Sequence, residues 1–295
     1  MTKHSGRSEG DKEFLFSDRD FDRVRDLIYR RAGISLSDSK QEMVYSRLAR
    51  RLRAVGLNSF ATYLDLLESE SESDEWEAFT NSLTTNLTSF FREGHHFPIL
   101  AEHICKKQGQ VRIWCSASST GEEPYSIAIA VCEAFGTLKP NVQIVATDID
   151  TNVLATAARG VYNIDRIEKM SPDRVRKYFL RGKGKNEGSV LVRPELRALI
   201  HFERLNLLDD RWAIQPEFDV IFCRNVMIYF DKPTQAGILK KFVPLLKDDG
   251  LLFAGHSENF LYVSDDFELR GKTVYALANQ ENKRKNLDTR ALHRG

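Results

Sequence analysis

The turn Cys115-Ser116-Ala117-Ser118-Ser119-Thr120-Gly121-Glu122-Glu123 leaves a short apolar run, VRIWC, and enters a helical stretch, EEPYSIAIAVCEAF. Where a parallel strand feeds a helix, small residues let backbone approach a nucleotide and the helix N-terminus is open to a ligand. Only Gly121 is a glycine, so the GxGxxG fingerprint fails, although Ala and Ser do the same steric job. Glu122 and Glu123 occupy the helix start and would repel a pyrophosphate. That disfavours NAD or ATP and suits a cationic or zwitterionic ligand. Asp148 closes the next strand, VQIVATD, where an acid either accepts hydrogen bonds from ribose hydroxyls or caps the following helix. Acidic turn and Asp148 together point to a nucleoside bearing positive charge, such as S-adenosylmethionine.

Two further segments carry polar groups in suggestive places. Arg224-Asn225-Val226-Met227-Ile228-Tyr229-Phe230 leaves the end of a later strand and would face the crevice where substrate binds. The plainer alternative is that Tyr229 packs and Arg224 makes a surface pair. Thr85-Asn86-Leu87-Thr88-Ser89-Phe90-Phe91-Arg92-Glu93 is dense in hydrogen-bonding groups and aromatics, as a lid over a site would be, or a linker ending in a helix cap. Other signals fall away. GKGKNEG (182–188) has no helix after it and reads as a hairpin turn, and Asp266 stands where a P-loop ending at Gly271-Lys272-Thr273 needs its first glycine. His95 and His96 are adjacent, so on a helix they diverge by about 100° and cannot chelate together. Cys105, Cys115, Cys132 and Cys223 form no metal spacing, and no metal is expected. No Ser/His/Asp hydrolase signature is present.

The elements that must position these groups fall into two parts. Before residue 84 the apolar spacing is helical: Phe21, Val24, Leu27 and Ile28 after a Ser17-Asp18 cap, then helices over about 37–55, 59–68 and 74–83. From about residue 110, apolar runs at 111–115, 142–148, 200–207, 218–225, 250–257 and 273–279 alternate with helical stretches, which predicts a parallel sheet covered on both faces. Residues 172–200 break the alternation and predict an inserted β-hairpin. The expected organisation is a disordered stretch at 1–13, a helical domain at 14–84, a sheet domain at 85–280 with a lid or linker at 85–95 and a β-subdomain at 172–203, and a flexible basic tail at 281–295.

Composition narrows the classes. The chain has 295 residues, 43 Lys+Arg and 42 Asp+Glu, for a formal charge of +1. That balance argues against a dedicated nucleic-acid binder. No apolar run approaches the roughly 20 residues of a membrane helix, and the N-terminus lacks the apolar centre of a secretory signal, so a cytoplasmic protein without membrane insertion is expected. The charge is nevertheless segregated: Lys40, Arg47, Arg50, Arg51 and Arg53 face one acid over 40–53, and Asp65, Glu68, Glu70, Glu72, Asp74, Glu75 and Glu77 follow.

TNLTSFFRE, STGEEPYS, ATDID, NLL, FDVIFCRNVMIYFD and GLLFAGHSE, in that order over about residues 15–280, closely resemble the CheR family of chemotaxis receptor methyltransferases. The resemblance implies methyl transfer from S-adenosylmethionine, leaving S-adenosylhomocysteine, to glutamate side chains on chemoreceptor methylation helices. It also implies an α/β fold: a Rossmann-like methyltransferase domain with an inserted antiparallel β-subdomain, after a small all-helical domain. Residue by residue, it implies that Asn86, Thr88 and Arg92 approach the cofactor, Arg92 also the reacting centre. Glu123 would meet the methionine portion and Asp148 the ribose. Asn206, Leu207, Arg224 and Asn225 would complete the pocket, and Tyr229 would face the substrate. In some members the β-subdomain docks a peptide from the receptor's C-terminus. A monomer is expected.

The chemistry agrees with an absence of general base. A glutamate carboxylate, with a reference pKa near ~4.3, is already the nucleophile at neutral pH. Arg47, Arg50, Arg51 and Arg53 are expected to dock the glutamate-bearing helices, or else to form a solvated face. The competing readings are a nucleic-acid methyltransferase, which usually carries an Asn/Asp-Pro-Pro-Tyr turn where this chain has Arg224-Asn225-Val226-Met227, and a non-enzymatic S-adenosylmethionine sensor.

Overall fold

The computed structural model describes residues 13–69 and 74–278, which form two compact units divided between Thr84 and Thr85. The expected disordered stretch (1–13, save residue 13) and basic tail (281–295) lie outside the described residues.

The first unit is helical because its apolar residues recur on one face per segment. Helix α1 (Asp18–Ala32) starts at a capping box in which Ser17 accepts from the Asp20 N–H, and stops at Gly33 in the left-handed region. A short 3-10 turn (Asp38–Lys40) leads into α2 (Gln41–Val55), followed by α3 (Phe60–Ser69) and α4 (Asp74–Leu83). Val24, Ile28, Leu48, Leu52, Phe60, Tyr63 and Phe79 are buried among them. The buried Trp76 donates its ring N–H to the Leu67 carbonyl at 2.7 Å, which ties α4 to α3.

The second unit begins with α5 (His96–Ile104) and then runs β1 (Val111–Cys115), α6 (Glu122–Ala134), β2 (Val142–Asp148) and α7 (Thr151–Arg159). Next come β3 (Val161–Asn163), α8 (Pro172–Tyr178), β4 (Phe179–Arg181), β5 (Ser189–Val192), α9 (Pro194–Arg197) and β6 (Ile200–Arg204). It ends with β7 (Phe218–Cys223), α10 (Lys232–Phe242), β8 (Leu246–Ala254), β9 (Phe267–Gly271) and β10 (Val274–Leu277). The main sheet has seven strands in the order β6-β2-β1-β7-β8-β10-β9. Side chains alternate between its faces: Ile113 and Cys115 join a core with α5 and α6, while Trp114 joins Phe242 of α10 in a second core. Chain order reverses between β1 and β7, so the crevice of an open α/β sheet lies at their carboxyl ends.

The sheet is mixed, which corrects the expectation of a parallel sheet. β10 runs antiparallel to both β8 and β9, and β9 was missed because FELRG is an edge strand joined to β10 by a tight turn, with no crossover helix to announce it. The small antiparallel sheet, order β3-β5-β4, also differs in extent from 172–203. It starts at Val161, in a strand too short to show a period, and Ile200–Arg204 belongs to the main sheet beside β2. Pro194–Arg197 is a helical turn inside the stretch expected to form the hairpin. The 182–188 segment does join two antiparallel strands. Among the described residues no helix is long and apolar enough to cross a membrane, and no group of three or more His, Cys, Asp or Glu side chains is arranged to hold a metal.

Candidate active site

At the carboxyl end of β2, Asp148 accepts the Ser119 N–H at 2.8 Å and the Asp150 N–H at 3.0 Å. Burial pushes its carboxyl up to about 6, against the pull of the backbone N–H groups of Asp150, Ser119 and Ile149. The capping role open to Asp148 in the sequence belongs to Asp150, whose side chain accepts from Asn152 and Val153 at the start of α7. Asp150 also accepts the Asn86 amide at 2.9 Å, and the Asn86 carbonyl accepts the Ser119 hydroxyl at 3.4 Å. The loop before the sheet is thus fastened to the turn after β1. Gly121 in that turn is needed for packing: φ is +99°, and a Cβ would stand 2.6 Å from the Tyr162 hydroxyl and 2.8 Å from the Ala157 Cβ.

The two glutamates at the start of α6 part company. Glu122 is buried against Arg166, whose guanidinium also donates to the Thr88 carbonyl at 2.8 Å, so it is committed to packing and does not face a ligand as the sequence implied. Glu123 accepts the Cys115 thiol at 3.3 Å and pairs with Arg224 at 2.9 Å. Burial raises its carboxyl, and the Arg224 charge works against that. Arg224 is itself buried, reaches the Arg92 carbonyl and approaches Glu93 at 3.5 Å. It makes no surface pair.

Glu93 joins the ends of three segments. It accepts the Asn225 amide at 3.3 Å, the His256 N–H at 3.2 Å and the His256 ring at 3.0 Å. Burial opposes its ionisation, yet the His256 hydrogen bonds and the Arg224 charge prevail and hold it at about 2. Phe91, Glu93, Ser119 and Asn225 all have positive φ, which concentrates backbone strain around this cluster. The Arg92 guanidinium donates to the Leu87 carbonyl at 3.1 Å and its charge reaches Glu123. Phe90 meets Tyr162 and Phe179, and Phe91 lies 4.2 Å beneath the Arg174 guanidinium, so residues of the small-sheet region hold this loop.

The remaining expected site residues are more peripheral in their bonding. Asn206 caps its own turn by accepting the Leu208 N–H at 3.0 Å. Leu207 is buried in the core beside α10. Tyr229 is half-buried in a 3-10 turn, Met227–Tyr229. His96 is buried, with its Nε2 beside the Lys272 carbonyl at 3.0 Å, and burial and the Arg224 charge push it down to about 4.

In the helical unit, three of the four expected docking arginines are already employed. Arg47 donates to the Ser82, Leu83 and Thr84 carbonyls at the end of α4, and Arg51 forks onto Glu75 at 3.0 and 2.6 Å. Arg53 pairs with Glu13 while remaining exposed, and Arg50 is exposed. Arg23, from outside the base-rich stretch, pairs with Asp65 and Glu68, while the Arg51–Glu75 pair joins the base-rich stretch to the acid-rich one.

Family models match the whole of this architecture: "CheR methyltransferase, all-alpha domain" over residues 19–84 and "CheR methyltransferase, SAM binding domain" over 86–276. The chain belongs to the CheR methyltransferase family. It is 55% identical over 267 residues to the chemotaxis protein methyltransferase of Salmonella typhimurium, covering 90% of this chain and 93% of that one. It is 52% identical over 273 residues to chemotaxis protein methyltransferase 2 of Pseudomonas aeruginosa, covering 91% and 96%. The glycopeptide N-methyltransferase MtfA, complexed with S-adenosylmethionine, overlaps with a TM-score of 0.34 at 12% identity over 58% of each chain.

As a CheR methyltransferase the chain is an S-adenosylmethionine-dependent enzyme of chemotaxis. Its residues suit that cofactor. Among the described residues, Glu93, Glu123 and Asp148 outnumber the buried cation beside them, Arg224, and a sulfonium would offset the surplus. The Ser118 hydroxyl and one Glu93 oxygen are buried without a hydrogen-bond partner in the same region. Both Asp148 oxygens have spare lone pairs for ribose hydroxyls. Glu93, Asp150, His256 and Glu258 were overlooked in the sequence, although TNLTSFFRE, ATDID and GLLFAGHSE contain them; acids adjoining motif residues were the available signal.

Proposed function

We propose that this enzyme transfers the methyl group of S-adenosylmethionine to glutamate carboxylates on the cytoplasmic helices of chemoreceptors, forming methyl esters. The observation that carries the reading is a strand-end cluster rich in alignment groups and poor in bases. His96 is tied to Lys272, His256 to Glu93, and the Cys115 and Cys223 thiols are pushed far up by burial. A nucleophile that is already ionised needs no base, and alignment of this kind can supply up to ~7–11 kcal/mol of barrier reduction. When bound, S-adenosylmethionine supplies an electrophilic methyl on a sulfonium. Asp148 and Asn206 hold the nucleoside, with Asn86, Thr88, Leu207 and Asn225 walling it. Glu123 and Arg224 meet the methionine portion. Arg92 receives the acceptor carboxylate and Tyr229 orients one of its oxygens. Arg50 and Arg53 offer positive charge to the acidic acceptor helices, and the small sheet docks a receptor C-terminal peptide.

Labelled cofactor supplied with receptor-containing membranes or with RNA tests this directly. Label on receptor that mild base releases is expected. Label on RNA, base-stable label, or cofactor binding without transfer would replace the reading by a nucleic-acid enzyme, another linkage or a sensor.

A further inference from the structure

Glu258 follows the end of β8, and its side chain is spent on backbone. It is 4% exposed. One carboxylate oxygen accepts the Asn225 N–H at 2.9 Å and the Gly255 N–H at 2.5 Å; the other accepts the Met227 N–H at 2.8 Å. Its own N–H donates to the Gly255 carbonyl at 2.9 Å, closing the turn from the other side. A single carboxylate therefore joins the chain leaving β8 to the chain leaving β7.

The join is tight and demanding. Asn225 has φ +59°, in the region that favours glycine. A Cβ on Gly255 would lie 2.3 Å from the Asn225 amide nitrogen and 2.9 Å from its backbone nitrogen, so the glycine is required by the approach of Asn225. An ionised carboxylate accepts freely on both oxygens, a protonated carboxyl has fewer lone pairs to offer, and an amide would turn its NH2 toward at least one of these N–H groups. Burying an anion against dipoles alone costs free energy that a plain turn does not need to spend. What hangs on the clamped segment is the site: Arg224 to Glu123, Asn225 to Glu93, and the Met227–Tyr229 turn that presents Tyr229.

We propose that Glu258 is a positioning residue for methyl transfer, its carboxylate holding the Arg224–Met227 turn so that Arg224, Asn225 and Tyr229 keep their working geometry. This rests on the methyl-transfer reading above. The test uses the full chain and three variants, Glu258→Gln, Glu258→Asp and Gly255→Ala. Product binding is followed by titration calorimetry with S-adenosylhomocysteine, and receptor methylation at a temperature where melting curves show each protein folded. Glu258→Gln is expected to weaken binding about tenfold, the loss of one charge-assisted hydrogen bond, and to lower kcat further, with Glu258→Asp recovering part of both. Gly255→Ala keeps the carboxylate but displaces Asn225, and is expected to reproduce the loss of kcat; it decides the matter if Glu258→Gln does not fold. A folded Glu258→Gln or Gly255→Ala with unaltered kcat and binding overturns the proposal, leaving Glu258 a stabiliser of the turn. Failure of the unaltered protein to bind product or methylate receptor overturns the methyl-transfer reading itself.

Discussion

Glu75 and Glu123 are both glutamates paired with an arginine, and they illustrate two ways of using charge. Glu75, on α4, accepts both prongs of Arg51 and the Tyr63 hydroxyl, and the surrounding helical unit pairs its other acids in the same direct way, Glu13 with Arg53, and Asp65 and Glu68 with Arg23. Glu123 shares a single buried arginine with Glu93, while Asp148 and Glu258 nearby rely on backbone N–H groups. These pairs close their own electrostatics, and the exposed ones among them contribute little. The strand-end cluster leaves negative charge over, at an energetic cost, and a cationic cofactor is the group that would relieve it. The difference separates charge that holds a fold from charge that waits for a ligand.

The sharpest way to break that comparison is to remove the arginine from each region. Arg224→Met strands Glu123 and Glu93 in a buried site, for which about 3–5 kcal/mol is expected, together with loss of cofactor binding. Arg51→Met leaves Glu75 its Tyr63 partner and should cost about 1 kcal/mol. Denaturant unfolding of the two variants measures both; equal losses would erase the distinction. Arg92→Ala comes next. Its guanidinium donates to the Leu87 carbonyl at the edge of the site, so stability should change by no more than about 0.5 kcal/mol while kcat falls about 100-fold. Normal turnover would remove Arg92 from the reacting centre.

A smaller effect follows from Asp148. Its folded-state carboxyl is raised to about 6, above the ordinary value, so ionisation costs the free protein stability as pH rises from about 4 toward 6. Ribose hydroxyls donate better to the ionised form, so cofactor affinity should strengthen as pH rises through 6 and level off above 7. Calorimetry from pH 5 to 8 should show that slope, and Asp148→Ala should flatten it and weaken binding about tenfold at pH 7. A flat profile in the unaltered protein would take Asp148 away from the ribose.

What the chain disclosed in advance, and what it withheld, divides along the same line. Helix caps such as Ser17 and Gly33, and the apolar runs that became β1, β2 and β7, act through near neighbours in sequence, so period and turn chemistry reveal them. β9 and β3 escaped because they depend on a partner strand more than on their own pattern. The site motifs were legible as letters, yet the division between Glu122, locked to Arg166, and Glu123, facing Arg224, depends on contacts 44 residues and more apart. The clustering of basic and acidic stretches misled for the same reason: separation along the chain says nothing about pairing across it.

That lesson reshapes the docking surface and gives the weakest expected effect. Arg47 and Arg51 are occupied by the α4 carbonyls and Glu75, so replacing them would perturb the helical unit itself and report folding. Arg50 is exposed, and Arg53, although paired with Glu13, is on the surface, where solvent screens such a pair and another acid readily replaces it. Arg50→Glu with Arg53→Glu should therefore raise KM for receptor several-fold, without altering kcat or cofactor affinity. Because the attraction acts between solvated charges, the difference from the unaltered enzyme should shrink as salt rises and the screening length falls from ~10 Å at 0.1 M toward ~3 Å at 1 M. Receptor methylation measured across that salt range decides it. A salt-independent defect would mean that the two substitutions disturb packing, and no defect at low salt would mean that the acceptor helices are held elsewhere.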